Sequence, residues 1–416
     1  MLYQVCISFN EKGIKKITHL KAKNNYHFRM KVKNLDLNLK KILIINNNLD
    51  MGGIQKSLVN FLKANHKDFD ITLMLLSKSG SLLNEIPNDI KIISPIKCYR
   101  ILGLSKEELK KYPFLFVLKA FLIKFSLLFS RKTAMKLLGV FQKKITGYDI
   151  VISYSHFFDY KYFANGCGDF VLDKTVSNEK ICIIHCDYLN SGTISKQNNS
   201  RYFEFDKIAC CSDSVRERFL KGSNLPPERV YTLRNFYDFD IIGLAKENPF
   251  TYSEKFINIV SVARLSPEKG VDRAVEALHL TDRKDIRYYI IGDGPQKDKI
   301  KNKIAEYKTE DRIFLLGEQE NPYRYMINAD YLLVPSLHEA APMVFDEAKI
   351  LGLPVISTNT TSAEEMIGEK YGIVIENSEE GIKKALLNLK KVYNKEIFEI
   401  DNSVQVGQLK VLTKIQ

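Results

Sequence analysis

Residues 331–357 read YLLVPSLHEAAPMVFDEAKILGLPVIS and contain a complete strand–loop–helix–strand unit. The apolar run YLLVPS predicts a strand that ends near Ser336. Pro342 lies where a helix should begin, a position that suits its fixed φ, and Gly352 predicts the end of that helix. The run LPVIS then predicts the next strand. Near-continuous apolar runs of this kind are typical of parallel strands that are covered by helices on both faces.

The same alternation of strands and helices extends outward from this unit in both directions. The other predicted strands are KILIIN (41–46), ITLMLL (71–76), DIVISY (149–154), KICIIH (180–185), KIACCS (207–212), VYTL (230–233), FINIVSVA (256–263), IRYYIIG (286–292), RIFLLG (312–317) and YGIVIE (371–376). The polar segment 236–255 lacks clear periodicity and is the best candidate for an interdomain linker. The sequence therefore predicts an α/β chain with two tandem Rossmann-like, doubly wound domains that face each other across a cleft.

The 416 residues include 45% apolar and 27% charged residues, the composition of a folded chain rather than a disordered one. The predicted division is a basic N-terminal extension at 1–40, a first domain at 41–240, a second domain at 241–394 and a final segment at 395–416. The extension could be a flexible arm, or it could precede a working start at Met30. It contains no apolar core of a signal peptide, so we expect a cytoplasmic protein.

The net charge of +13 is unevenly distributed. Residues 1–41 carry +8, and residues 97–145 carry twelve basic and two acidic residues, or +10. No helix-turn-helix, zinc-finger or RNA-binding signature accompanies these charges. They therefore favour a membrane surface or an anionic substrate over a nucleic acid as partner.

Seven cysteines without framework spacing indicate a reducing compartment. Cys182, Cys186, Cys210 and Cys211 lie in strand-like runs and form no C-x-x-C pair. We expect them to be small buried hydrophobic residues rather than zinc ligands.

The longest apolar stretch, FLFVLKAFLIKFSLLF at 114–129, is interrupted by Lys119 and Lys124. It is shorter than the ~20 residues that a spanning helix needs. Two interpretations stay open. The stretch could form a helical hairpin buried in a domain, with its lysines reaching the surface, or a patch that lies on an anionic bilayer. The basic residues that flank it are Lys110, Lys111, Arg131, Lys132 and Lys136.

Two carboxylates bracket the predicted start of the helix in 331–357. Glu339 precedes the helix, and Glu347 lies one turn inside it. The free N–H groups at the start of a helix form an anion site. This arrangement suits a phosphate that joins two polyhydroxylated groups, each with hydroxyls that donate to a carboxylate, as in a nucleotide diphosphate sugar. The alternative is a pair of glutamates that only stabilises the helix dipole.

Two further loops carry candidate ligand-binding residues. In SVARLSPEKGVDRAVEAL (261–278), Arg264 and Lys269 could neutralise a diphosphate leaving group, or they could be ordinary solvated charges. In YYIIGDGPQKDKI (288–300), Gly294 lies in a tight turn that permits close approach of a ligand. Lys297 replaces the third glycine of the dinucleotide-binding fingerprint, so an NAD site is weakly supported.

Taken in order, the motifs ARLSPEKGVDRAVEA, IIGDGP, FLLG, ADYLLVPSLHEAAPMVFDEAKILGLPVIST and SAEEMI resemble the donor half of a GT-B fold retaining glycosyltransferase of family 4, group 1. Glu339 and Glu347 match the family's pair of glutamates separated by seven residues. The N-terminal half resembles the family more loosely, through NNNLDMGGIQKSLVNFL, CSDSVRERFL and VYTLRNFYD. Ala340 departs from the family, which often has glycine after the first glutamate.

The resemblance implies a nucleotide sugar site, with Arg264 and Lys269 on the donor diphosphate, Glu347 on the ribose hydroxyls and Glu339 near the donor sugar. It also implies that His185 lies beside the donor sugar, although His156 ends a strand as well. The remaining binding residues that it implies are Gly52, Gly53, Pro342, Met343 and Val344, to which the tight turn in 288–300 adds Gly294. Segment 395–416 would return to pack on the N-terminal domain.

The activity that the resemblance implies is transfer of a sugar, with retention, to a glycan acceptor that is expected to be lipid-linked, in cell-surface polysaccharide biosynthesis. We expect such an enzyme to lie on the inner face of the cell membrane. Asp68–Asp70 and Asp238–Asp240 match the D-x-D metal motif only by chance. We expect neither a metal nor a cofactor, because Arg264, Lys269 and the helix N-terminus would neutralise the leaving group. A non-catalytic nucleotide- or sugar-binding protein on the same fold is the alternative. A nicotinamide-dependent enzyme and a membrane adaptor are more distant possibilities.

Overall fold

The computed structural model describes residues 7–8, 16–17, 39–104, 106–158, 163–392 and 398–414. The chain divides into two compact units, residues 1–39 and 40–416. In the first unit, strands β1 (Ile7–Ser8) and β2 (Lys16–Ile17) pair antiparallel. The two interpretations of the N-terminal extension otherwise fall outside the described residues. All further elements belong to the second unit.

The first half of the second unit contains a seven-stranded sheet. Its strands are β3 (Lys41–Asn46), β4 (Asp70–Leu75), β5 (Lys91–Ile93), β6 (Ile145–Ser153), β7 (Thr175–Ile184), β8 (Lys207–Cys210) and β9 (Val230–Thr232). Their order across the sheet is β5–β4–β3–β6–β7–β8–β9, and neighbouring strands run parallel. The helices are α1 (Gly53–Asn65), α2 (Arg100–Gly103), α3 (Lys106–Lys110), α4 (Pro113–Leu128), α5 (Arg131–Leu138), α6 (Cys167–Lys174), α7 (Lys196–Tyr202) and α8 (Asp213–Ser223).

The second half contains a six-stranded sheet. Its strands are β10 (Ile257–Val262), β11 (Ile286–Ile291), β12 (Ile313–Gly317), β13 (Tyr331–Val334), β14 (Val355–Thr358) and β15 (Gly372–Ile375). Their order is β12–β11–β10–β13–β14–β15, again parallel. The helices are α9 (Ile241–Lys246), α10 (Val271–Thr281), α11 (Lys297–Glu306), α12 (Tyr323–Met326), α13 (Met343–Ile350), α14 (Ala363–Ile367), α15 (Glu379–Asn388) and α16 (Ser403–Thr413). The prediction of two tandem parallel α/β domains is confirmed.

Strand β3 shows why the strands read as continuous apolar runs. Leu43 and Ile45 enter the core on one face of the first sheet, and Ile42 and Ile44 enter the core on the other face. All four are fully buried. Because side chains alternate across a strand, a sheet that is covered on both faces requires apolar residues at every position.

Segment 236–255 and the last described residues each contain a helix, so neither is a simple connection. Helix α9 forms within 236–255, and its Ile241 and Ala245 are buried in the core of the second sheet. With only six residues, it is too short to show periodicity in the sequence. Helix α16 places Leu409 and Leu412 in a core of the first sheet.

The cysteine prediction is confirmed for Cys182, Cys210 and Cys211, which are buried in the first domain, whereas Cys186 is only partly buried. The described cysteines are free thiols. Burial in apolar surroundings raises the pKa of the Cys182 thiol, so it stays protonated.

Helices α4 and α5 form a hairpin that is buried along one side only. Leu122 and Ser126 are the buried residues of α4. The opposite side exposes large apolar residues, an area named here the apolar hairpin surface: Phe114, Phe116, Val117, Phe121, Leu127, Leu128, Phe129, Leu137, Val140 and Phe141. The hairpin is therefore not buried in the domain as the first interpretation requires. No helix in the described part of the chain is both long and apolar enough to cross a bilayer.

Arg131 requires a correction, because it is not a solvent-facing charge at the flank of this stretch. It is 5% exposed, and its Nε lies 3.0 Å from Asp169 Oδ2. Arg201 contacts the other oxygen of Asp169 at 3.3 Å. Since a buried charge that loses its partner is costly, this network fixes the hairpin to α6.

Candidate functional site

The carboxyl ends of the two sheets face a shared cleft of about 750 Å³. Ten of the eleven predicted site residues line it, which shows that the distant motifs converge on one place. They are Gly52, Gly53, His185, Arg264, Lys269, Glu339, Pro342, Met343, Val344 and Glu347. The eleventh, Gly294, is not among the lining residues.

Gly294 has a structural reason for being glycine. Its φ is +156°, and a Cβ there would lie 2.5 Å from the carbonyl oxygen of Leu265. The turn after β11 therefore packs against the loop after β10, and Gly292 and Asp293 are the residues that reach the cleft.

Gly52 and Gly53 behave differently, because neither has a positive φ. A Cβ on Gly53 would meet no atom within 4 Å, and one on Gly52 would meet only the end of the Gln55 side chain. The backbone does not require glycine at these positions. Their missing side chains leave open space where α1 begins at the cleft, which suits close approach of a ligand.

Helix α13 presents its N-terminus to the cleft. Pro342 is the N-cap, and no side chain caps the helix. The acidic residue of the first turn, Asp346, is buried and paired with Lys349 at 3.2 Å, so it does not neutralise the N-terminus from the cleft. The first-turn N–H groups at Met343 and Val344 are therefore open to an anion.

Two cationic side chains flank this N-terminus on the loop after β10. Arg264 is exposed, and its side chain has no hydrogen bond or salt bridge within the described part of the chain. Lys269 Nζ lies 2.5 Å from Glu339 Oε1, which also accepts a hydrogen bond of 2.9 Å from Ser336 Oγ. Gly270 holds the loop in place, since its φ is +60° and a Cβ would lie 2.3 Å from the Pro335 carbonyl oxygen.

Glu347 lies on α13 and is 7% exposed. Its Oε1 lies 2.7 Å from Lys56 Nζ and 3.3 Å from the hydroxyl of Tyr323. Lys56 belongs to the first domain, where it follows the paired glycines by three residues. Sequence reasoning missed Lys56 and Tyr323, although the position of Lys56 in the first turn after Gly53 is a signal that it faces the cleft.

His185 follows β7 and reaches the cleft, whereas His156, which follows β6, does not line it. Burial, and secondarily the nearby His156, lowers the pKa of His185 to about 3. The imidazole is therefore neutral at neutral pH. Its Nε2 is buried and has no hydrogen-bond partner among the described residues.

A hydrogen-bonded bridge joins the two domains beside the cleft. Glu365 of α14 accepts hydrogen bonds from the backbone N–H of Asp213 at 3.0 Å and of Ser214 at 2.8 Å, both in the first turn of α8. Its Oε1 also lies 2.9 Å from Arg234. Thr361 donates to Asp187 at 2.8 Å. Helix α14 thus caps a helix of the other domain.

The second D-x-D sequence, Asp238–Asp240, places a residue at the cleft. Asp238 lines the cleft, but its Oδ2 lies 2.8 Å from Lys63 Nζ. Across the residues that the structure describes, no group of three or more His, Cys, Asp and Glu side chains is arranged to hold a metal ion.

The sequence of this chain is similar to those of known glycosyltransferases. Residues 246–396 match the family model described as glycosyl transferases group 1. The amylovoran biosynthesis glycosyltransferase AmsK of Erwinia amylovora is 33% identical over 207 residues, which cover 47% of this chain and 50% of AmsK. An N-acetylgalactosaminyltransferase of Campylobacter jejuni that acts on a diphospho-undecaprenol-linked acceptor, as its name states, is 28% identical over 177 residues, or 42% of this chain and 48% of that protein.

The second domain is therefore similar to the group 1 glycosyl transferases. The chain spans about half the length of the curated relatives it matches. The family model covers the second domain, which carries Arg264, Lys269, Glu339 and Glu347.

Solved structures show the same fold over most of the chain. HepE of Anabaena, crystallised with UDP and glucose, has a TM-score of 0.57 and 16% identity, and the match covers 84% of this chain and 89% of HepE. TarM of S. aureus has a TM-score of 0.60 and 14% identity, with 90% of this chain and 96% of TarM covered. The two parallel-sheet domains and the cleft are thus a GT-B fold.

Proposed function

We propose that this chain is a retaining glycosyltransferase that moves a sugar from a nucleotide diphosphate sugar to a hydroxyl of a glycan or lipid-linked acceptor. The observation that carries this proposal is the convergence of two cations, two carboxylates and an uncapped helix N-terminus on one cleft. These groups complement a pyrophosphate that has a polyhydroxylated group on each side.

In the proposed reaction, the bond between the sugar C1 and the β-phosphate oxygen breaks, and the electron pair stays on the phosphate. The acceptor oxygen bonds to C1, and its proton passes to the departing phosphate. Arg264, Lys269 and the N-terminus of α13 would stabilise the negative charge that develops on the diphosphate. With these groups in place, we propose that neither a metal nor a cofactor is needed.

Two cation–carboxylate contacts line the cleft, Lys269 with Glu339 and Lys56 with Glu347. The ammonium group of Lys269 is paired with the Glu339 carboxylate. When a donor binds, its diphosphate would pair with Lys269, and the hydroxyls of its sugar would donate hydrogen bonds to Glu339. Neither charge would then be left unpaired. Neutral His185 lines the cleft and would contact the sugar as a catalytic residue.

We further propose that the apolar hairpin surface rests on an anionic bilayer, which would place the enzyme at the inner face of the cell membrane beside a lipid-linked acceptor. Exposed Lys111, Lys124 and Lys136 lie within this part of the chain. Burial lowers the pKa of Lys119, which lies on α4 among the apolar side chains. The apolar side chains would contact the acyl chains of the lipids, and the nearby lysines would contact the anionic headgroups. The names of AmsK and of the Campylobacter relative support a role in polysaccharide or glycolipid biosynthesis.

The proposal is tested by titrating the chain with UDP-, GDP- and ADP-sugars and by following slow hydrolysis and transfer. We expect one nucleotide class to bind and turn over. Lys269→Ala and Glu347→Ala should each weaken binding at least tenfold, since each removes a charge-assisted hydrogen bond worth ~1.5–3 kcal/mol. Lys284→Ala, at an exposed lysine paired with Asp282, is the matched control.

Binding without any turnover would instead favour a non-catalytic nucleotide- or sugar-binding protein on this fold. Unchanged affinity in both site variants would show that the site has been assigned to the wrong residues.

A further inference from the structure

Lys56 is the cationic residue that joins the two walls of the cleft. It lies on α1 of the first domain, yet its ammonium group contacts Glu347 of α13 and the hydroxyl of Tyr323 in α12. It also lies 4.6 Å from the centre of the Tyr323 ring. Three contacts thus hold one ammonium group against the second domain.

Both members of this ion pair are partly removed from water. The side chain of Lys56 is 22% exposed and that of Glu347 is 10% exposed. A pair in such surroundings is screened less than a surface pair, and loss of one partner leaves a half-buried charge. The contact is therefore strong enough to set the position of the Glu347 side chain.

The two oxygens of Glu347 have different surroundings. Oε1 contacts both Lys56 and Tyr323. Oε2 has no hydrogen-bond partner within the described residues, and it is not among the buried polar atoms that lack one, so it is an accessible oxygen on a residue that lines the cleft. A carboxylate held through one oxygen can present the other at a fixed angle to a pair of hydroxyls.

We infer that Lys56 is a positioning residue for the donor, which fixes Glu347 so that Oε2 accepts hydrogen bonds from the ribose of a nucleotide. This inference rests on the proposed function. It adds that the first domain contributes to nucleotide affinity, through a residue that does not itself touch the nucleotide.

Coupling between donor binding and domain closure follows from this arrangement. Lys56 and Glu347 lie on opposite walls, so their contact exists only when the walls are close together. A nucleotide that binds better to the positioned Glu347 shifts the chain toward this closed arrangement.

The test is calorimetric titration of the full chain with UDP, GDP and ADP. Lys56→Met keeps the aliphatic stem and removes the charge. We expect this variant to lower the affinity for the nucleotide that binds wild type by about tenfold, the effect of one charged hydrogen bond. Lys56→Arg should restore most of this affinity. Lys67→Met, at an exposed lysine just beyond α1, controls for net charge.

A double-mutant cycle separates positioning from a general structural effect. Glu347→Gln keeps one acceptor oxygen, so residual binding can be measured at high nucleotide concentration. In that background, we expect Lys56→Met to change affinity by less than about twofold, because no carboxylate is left to position. Circular dichroism checks that each variant is folded, and Lys56→Gln replaces Lys56→Met if that variant is not.

The outcomes distinguish the two proposals. If wild type binds none of the three diphosphates, the proposed function fails whatever Lys56 does. If wild type binds and Lys56→Met binds equally well, the inference about Lys56 is overturned. Equal weakening by Lys56→Met with and without Glu347→Gln would also overturn it.

Discussion

Individual side chains in the cleft fall into two groups, those that an anion would attract and those that a neutral sugar would meet. Arg264 and Lys269 belong to the first group. His185 belongs to the second, since its burial keeps the imidazole uncharged and its Nε2 lacks a partner. The two groups can be separated experimentally, because a free nucleoside diphosphate contains the ribose and the diphosphate but not the donor sugar.

We predict that His185→Ala lowers kcat for sugar transfer by about 10²-fold, the loss typical of one hydrogen-bonding group at a reacting centre. Affinity for the free nucleoside diphosphate should stay within about twofold of wild type. Steady-state kinetics and titration of the same preparation measure both quantities. If nucleotide affinity falls as far as kcat, His185 acts on the nucleotide and its assignment to the sugar is wrong.

The donor-side residues could be found in the sequence because they lie in the loops and first helical turns that follow two strands. Arg264 follows β10, and Glu339 follows β13, so strand prediction alone placed them at one sheet edge. Lys56 and Tyr323 could not be paired in this way. Their contact depends on how the two domains pack. The spacing of apolar residues within one helix or strand does not predict such packing. Gly294 shows the opposite problem. The sequence predicts that this turn glycine contacts a ligand, but the space beside it is filled by the backbone of Leu265.

Secondary structure was predicted best where the apolar runs were long. Strand β3 begins and ends at the residues that the sequence predicted, whereas β6 begins at Ile145, before its predicted start at 149. The short helices α9 and α14 were not predicted. Helix α14 has only five residues, and its role depends on a contact with α8 of the other domain. Such a helix is defined by packing rather than by periodicity.

We predict that Glu365→Gln lowers the free energy of unfolding by about 1 kcal/mol, the usual value of a helix N-cap. The reason is that Glu365 supplies the acceptor for two N–H groups at the start of α8 and also pairs with Arg234. Urea denaturation measures the change. Glu364→Gln, at the exposed neighbouring residue, should have little effect. Equal stability of the two variants would show that the bridge contributes no net stabilisation.

The apolar hairpin surface gives a second prediction for a helical element. Phe114→Ser combined with Leu128→Ser should reduce sedimentation with vesicles that contain phosphatidylglycerol by at least tenfold, because each side chain loses an apolar contact with the acyl chains. Nucleotide affinity should not change. Val411→Ser, at an exposed apolar residue of α16, is the matched control.

Vesicles of phosphatidylcholine alone separate the charge contribution from the apolar one. Wild type should bind them more weakly than anionic vesicles. Equal sedimentation of wild type and the double variant with anionic vesicles would contradict the membrane proposal.

In the molecule as a whole, two buried histidines in the described part of the chain, His156 and His185, should lower stability in mild acid. Burial lowers the pKa of His156 to about 4, and burial with the neighbouring His156 lowers that of His185 to about 3, both from an ordinary 6.5. Between pH 6.5 and 4 the unfolded chain therefore binds more protons than the folded chain. The contribution of these two histidines to the free energy of unfolding therefore falls as the pH drops through this window, and it does not change above it.

We predict that His156→Gln makes this fall shallower, since one of the two titrating groups is removed. Urea denaturation of wild type and variant at pH 7.5, 6.0 and 5.0 measures the difference in slope. An identical dependence on pH in the two proteins would show that His156 is protonated in the folded chain as readily as in the unfolded one.

The central claim is that the carboxyl edge of the second sheet binds a pyrophosphate. A crystal structure with the nucleoside diphosphate that binds most tightly tests it directly. We predict phosphate oxygens within hydrogen-bonding distance of Arg264, Lys269 and the first-turn N–H groups of α13, with the ribose on Glu347 Oε2. A diphosphate bound elsewhere, with Lys269 still paired to Glu339, would contradict the claim.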